Sequence, residues 1–208
     1  MRLRIDLKIF VFLLLFYLTK QIEIYSTIMF FCILHELGHI FMGILLGLKV
    51  EKIEIMPFGL SVAFKLNTKD YNKKIKNANL LELKKIAIAI AGPITNLIII
   101  LFYIFLNKSE INIIYANLLI MLFNIIPIFP LDGGRILKSI IHIFCGYTKS
   151  IECVHIFSNI TIILLTLISS IVILKIHNIA ILIILIYLWT LVIKENKRYE
   201  NVKQFLEK

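Results

Sequence analysis

Residues 24–48 read IYSTIMFFCILHELGHIFMGILLGL, a run in which Glu36 is the only formal charge. A helix crosses the hydrocarbon core of a bilayer in about 20 predominantly apolar residues. The run is therefore long enough to be a membrane span, interrupted by His35, Glu36 and His39. An ionisable group at the centre of such a span costs about 2.5–3.5 kcal/mol or more unless it is paired or functional, so a cluster of three is hard to explain as packing. The whole chain fits a lipid surround. It is 60% hydrophobic and 17% charged, with mean hydropathy +0.91 over 208 residues, whereas soluble domains run nearer half apolar and a quarter charged. There is room for one compact helix bundle and no second sizeable domain.

Outward from that span, further apolar blocks follow at residues 86–106, 111–131, 154–174 and 176–193. Residues 1–20 have the basic start and short apolar core of a signal peptide. Thr19-Lys20-Gln21-Ile22 offers no small-x-small cleavage site, so a retained first helix is expected. With six crossings and a cytoplasmic N-terminus, 20 of the 23 lysines and arginines fall on the cytoplasmic side, leaving only Lys20, Lys108 and Lys175 outside. This asymmetry accounts for the net charge of +10 without a nucleic-acid partner. The expected protein is multi-pass, with both termini cytoplasmic.

Residues 52–66 change period. Ile53 and Ile55, then Val62, Phe64 and Leu66, alternate with Glu54, Ser61, Ala63 and Lys65, and Pro57-Phe58-Gly59 supplies a turn. The expected fold class is thus an all-α integral membrane protein, six transmembrane helices with a short membrane-edge β-hairpin between the second and third. An unwound substrate could pair with that hairpin as an added strand. Cys32, Cys145 and Cys153 are odd in number and lack CxxC spacing, which indicates neither a disulfide nor metal binding. Cys32 lies one turn before His35, and apolar packing is its expected role.

His35 and His39 are four residues apart, so on a helix both imidazoles leave one face about 6 Å apart along the axis and can bind one zinc ion (Zn2+). Glu36, beside the first histidine, can reach a water activated by the metal and accept its proton during attack on a carbonyl. A catalytic zinc needs a third protein ligand. His142 and His155 lie beyond the fourth block in cytoplasmic or interfacial context, and His177 on the outer side. Asp132 is the better candidate. It follows Pro127 and Pro130, which break the helix, and precedes Gly133-Gly134, which permits unusual backbone. It could also simply cap the helix that follows. His39 lies roughly 13 Å from the cytoplasmic end of its helix and Asp132 at the cytoplasmic end of its own span, so both belong to the inner half of the membrane.

His35-Glu36-Leu37-Gly38-His39, then Ala91-Gly92-Pro93-Ile94-Thr95-Asn96, then Asn124 with Pro130-Leu131-Asp132-Gly133-Gly134-Arg135, stand in one order. Together they resemble the site-2 protease family (peptidase M50) of intramembrane zinc metalloproteases, strongly over about residues 22–145. The layout is most similar to the branch of stage IV sporulation protein FB, with Met56-Pro57-Phe58-Gly59 and the basic C-terminal stretch in keeping.

The resemblance implies that His35, His39 and Asp132 hold zinc and that Glu36 is catalytic. It implies substrate-binding or oxyanion-holding roles for Asn124 and Asn96, although either amide could simply bond across helices. The implied substrate is a membrane-tethered protein cut near the cytoplasmic face, of the pro-sigma-K kind, with inhibitory membrane proteins as further partners. Alternatives are anti-sigma factors or signal-peptide remnants as substrates, or a catalytically inactive scaffold. A transporter with a midplane metal site would show inverted halves with broken helices, and the polar motifs fall only between residues 35 and 135. The expected organisation is a membrane metalloprotease domain at 1–195 and a short cytoplasmic tail at 196–208, with no CBS or PDZ domain.

Overall fold

The computed structural model describes residues 2–5, 7–18, 20–56, 59–65, 75–106, 110–176 and 179–206. It divides into two units, Met1–Asn124 and Ile125–Lys208. The Pro57-Phe58 part of the expected turn, and His177, lie outside the described residues.

In the first unit, β1 (Arg2–Ile5) and α1 (Lys8–Leu18) precede α2 (Ile22–Leu45), β2 (Lys49–Met56), β3 (Gly59–Lys65), α3 (Ile75–Phe105) and α4 (Ile111–Ile125). The buried residues of α2 include Cys32, His35, His39 and Gly43, a stripe at three- and four-residue spacing. Phe31, Cys32 and Ile120 form a buried apolar cluster, so Cys32 has the packing role expected of it. Small residues bring α3 close to this stripe. A Cβ at Gly38 would stand 3.0 Å from Ala91 O and collide with Thr95. Large apolar side chains such as Phe30, Phe41, Ile98 and Leu101 stand exposed on α2 and α3, as suits a lipid solvent.

Helix α2 ends in a Schellman motif. Gly47, at φ +77°, takes the left-handed conformation that glycine adopts without penalty. Gly47 N–H donates to Ile44 O at 2.9 Å and Leu48 N–H to Gly43 O at 2.9 Å. From α3, Lys84 Nζ donates to Leu46 O at 3.0 Å, adding a cation at this carbonyl end. The chain then enters β2 directly. The hairpin expected at residues 52–66 is present as β2 and β3, antiparallel, with Ile53 opposite Val62 and Val50 opposite Phe64. A bulge falls between Val50 and Lys52. The Phe64 ring occupies the place where a Gly43 side chain would be, so β3 packs on α2 one turn beyond His39.

The N-terminal region departs from the expected single helix. Arg2–Ile5 pairs parallel with β2, giving a three-stranded sheet of order β1-β2-β3. The helix that follows has 11 residues, about 16 Å, short of the roughly 30 Å hydrocarbon core. The expected span at 111–131 is also shorter: α4 has 15 residues and ends before Pro127 and Pro130, which carry no backbone N–H to continue it. Among the described residues, three helices are long and apolar enough to cross a membrane, Ile22–Leu45, Asn79–Phe105 and Tyr147–Leu174.

The second unit contains α5 (Asp132–Cys145), α6 (Tyr147–Ile176) and α7 (Ile179–Leu206). Helix α7 carries the charged stretch from residue 196 as far as Leu206. Asn196 Nδ2 donates to Asn159 Oδ1 at 2.9 Å and Asn159 Nδ2 returns a bond to Asn196 Oδ1 at 3.4 Å. His155 stacks on Tyr199 at 4.2 Å between ring centroids. Asn196→Leu leaves the Asn159 amide without its reciprocal partner and should weaken this junction by about 1–3 kcal/mol. Trypsin should then cut faster after Lys197 and Arg198 than in the parent protein, with the rest of the digest unchanged.

Candidate metal centre

His35 and His39 are both 2% exposed. Their ring planes lie at 87° with centroids 4.8 Å apart, and the two Nε2 atoms approach to 3.2 Å. Each ring is held from its other nitrogen. His39 Nδ1 lies 2.6 Å from the carbonyl oxygen of Ile88, and His35 Nδ1 lies 2.5 Å from Asn96 Oδ1. A backbone carbonyl can only accept, so His39 Nδ1 carries a proton, and in the neutral ring Nε2 offers a lone pair. With Asn96 Oδ1 facing His35, the same holds there. Two lone pairs 3.2 Å apart repel unless a positive charge lies between them, and buried imidazoles whose Nδ1–H is tied to an oxygen are the usual form of metal-binding histidine. The donor set fits a divalent metal.

Glycine at position 92 makes the room. A Cβ built there would stand 2.5 Å from Nε2 of both His35 and His39. The α3 backbone thus passes directly against the paired nitrogens. Glu36, next to His35, is half-buried.

Asn96 is fully buried, as is Asn117 on α4, and Asn96 Nδ2 donates to Asn117 Oδ1 at 2.9 Å. The structure therefore gives Asn96 two protein partners, one of them a candidate ligand. Asn117 went unnoticed in the sequence; its only signal there was an amide inside an apolar block. Asn124 bonds its own helix, Nδ2 to Ile120 O at 3.0 Å.

Asp132, in the second unit, is 4% exposed and opens α5, whose N-cap is Leu131. Arg135 Nη1 stands 3.9 Å from Asp132 Oδ1. Gly133 and Gly134 do not have positive φ, so the unusual backbone expected of them is not their role. They allow close approach instead: a Cβ at Gly133 would stand 2.6 Å from Ile126 O, and one at Gly134 2.5 Å from Phe129 N. The α5 start is thereby pressed onto the segment that leads to Asp132. His142 and His155 have aromatic neighbours, Tyr147 and Tyr199, in keeping with structural roles.

The chain matches Peptidase family M50 over residues 24–112 and 108–168. It is 39% identical over 128 residues to a zinc metalloprotease of Methanocaldococcus jannaschii, covering 57% of this chain and 34% of that protein. It is 26% identical over 129 residues to stage IV sporulation protein FB of Bacillus subtilis, covering 58% and 41%. The matched stretch thus spans between about a third and two fifths of these relatives. Its fold is that of the site-2 protease from Methanocaldococcus jannaschii, with TM-score 0.68 and 24% identity over 93% of this chain and 89% of that one.

Gly92→Ala tests the geometry. The added methyl occupies the space at the two Nε2 atoms, so zinc bound per purified protein should fall to background while the helical circular dichroism stays at the parent level. Normal zinc content would mean that the pair is not the metal centre.

Proposed function

The chain belongs to peptidase family M50, an assignment that with its apolar helices makes it an integral membrane protein, and from that premise we propose that it is an intramembrane zinc metalloendopeptidase. The observation that carries the reading is the pair of buried imidazoles whose Nδ1 atoms are tied to oxygens and whose Nε2 atoms converge. His35 and His39 supply two ligands and Asp132 the third, as a buried carboxylate within the family motif. Bound there, zinc supplies a Lewis acid that brings the pKa of water near 7 and polarises a peptide carbonyl. Glu36 takes the proton of the attacking water as the new C–O bond forms. It then gives a proton to the departing amine nitrogen as the C–N bond breaks, so atoms and charge balance. Asn124 is the candidate contact to substrate.

The substrate is a membrane-tethered protein cut near the cytoplasmic face of a six-crossing, N-in and C-in enzyme. A pro-sigma factor of the sporulation type is supported by the stage IV sporulation protein FB match, and inhibitory membrane proteins are the corresponding partners. The higher identity to an archaeal zinc metalloprotease favours a second reading, a general site-2 protease acting on other tethered proteins such as anti-sigma factors. Strand β3, at the edge of the sheet, is the surface on which an extended substrate pairs.

Co-expression with a membrane-tethered pro-sigma factor tests the reading. The parent protein should release the shortened product. Glu36→Gln should lose cleavage at least a hundredfold yet retain zinc, and His35→Ala and Asp132→Ala should lose both. Val62→Pro, which breaks the edge strand, should lose cleavage and keep zinc. Equal processing by Glu36→Gln and the parent would reject the catalytic assignment.

A further inference from the structure

The His35–Asn96–Asn117 contacts form a line of hydrogen bonds across α2, α3 and α4, and its last link has a direction. Asn117 Nδ2 donates to Ile113 O at 2.9 Å. Ile113 O is a backbone carbonyl and can only accept, so Asn117 must turn its NH2 toward it and its Oδ1 toward Asn96. Asn96 must then present Nδ2 to Asn117 and Oδ1 to His35. Neutral His35 must therefore carry its proton on Nδ1, which leaves the Nε2 lone pair on the side of His39 Nε2. An amide is nearly symmetric in shape, so Asn96 alone would fit His35 either way round. The reversed form would place the histidine proton on Nε2, where it blocks a metal. Asn96 and Asn117 are fully buried, so a reversed amide would set like polar atoms against each other at a site where a mismatched group is costly.

We infer that Asn117 is a positioning residue for the metal centre: anchored on Ile113 O, it sets the orientation of the Asn96 amide and through it the metal-binding tautomer of His35. The proposal deepens the zinc metalloprotease reading and rests on it for its consequence, though the tautomer itself does not depend on metal. Asn117 touches neither metal nor substrate in this role. Outer partners that orient metal-binding histidines change metal affinity by about 10–100-fold when removed.

The test uses the full chain in lipid bilayers. In metal-free protein carrying 15N-labelled histidine, His35 should give the Nδ1–H signature in the parent and a mixture with Nε2–H in Asn117→Leu. Zinc affinity, measured by competition with a chelator, should fall about tenfold or more in Asn117→Leu. A second background separates orientation from packing. Asn96→Asp places an acceptor-only group against His35, so the tautomer no longer needs Asn117. Adding Asn117→Leu to that variant should bring no further loss of affinity. An equal loss in both backgrounds, or an unchanged His35 tautomer in Asn117→Leu, would overturn the proposal. If His35→Ala bound zinc as the parent does, the metal assignment would fail, and the tautomer measurement on metal-free protein would still decide the role of Asn117.

Discussion

Two imidazoles in an apolar helix cannot use water, so each Nδ1–H must find an oxygen inside the protein. His39 finds the Ile88 carbonyl and His35 the Asn96 amide, both on α3. That demand brings α3 against α2 closely enough for backbone to touch side chain, which explains why glycines stand at 38 and 92. It also asks Asn96 for a second partner, which Asn117 on α4 supplies. The packing of three helices thus follows from satisfying a pair of ring nitrogens. The same arrangement leaves both Nε2 atoms converging, so burial and the proposed metal binding have one structural cause.

The boundaries of α2 carry that arrangement toward the sheet. The Schellman turn at Gly47 stops the helix two turns after His39, and β2 begins at Lys49. Phe64 seated at Gly43 then ties the edge strand to the histidine helix. An edge strand and a candidate metal centre on adjoining turns of one helix suit the proposed enzyme, which must hold an extended peptide beside its catalytic groups.

Much of this was legible in the sequence because it lies in short-range spacing. The four-residue separation of His35 and His39 places them on one face, and the alternation at residues 52–66 marks the hairpin. What was not legible depends on distant partners or on the difference between helix and apolar run. Arg2–Ile5 is a four-residue strand defined only by its pairing with β2. Helix α4 stops at Ile125 although the apolar run continues to Leu131, because hydropathy does not register the absent N–H of proline. Helix α7 continues past Ile193 for the opposite reason: charged residues end an apolar run without ending a helix. Asn96 and His35 are 61 positions apart, and no local pattern reveals which end of an amide faces which neighbour. Gly133-Gly134 suggested special dihedral angles, whereas the constraint is contact with the preceding segment.

The proposed zinc ion takes nitrogen from His35 and His39 and oxygen from Asp132. X-ray absorption at the zinc edge of the purified full chain reads the ligand atoms directly. The expected spectrum has a first shell of nitrogen and oxygen alone at about 2.0–2.2 Å, with the outer scattering of two imidazoles. A sulfur shell at about 2.3 Å, which would bring in a cysteine such as Cys32, or fewer than two imidazoles, would contradict it.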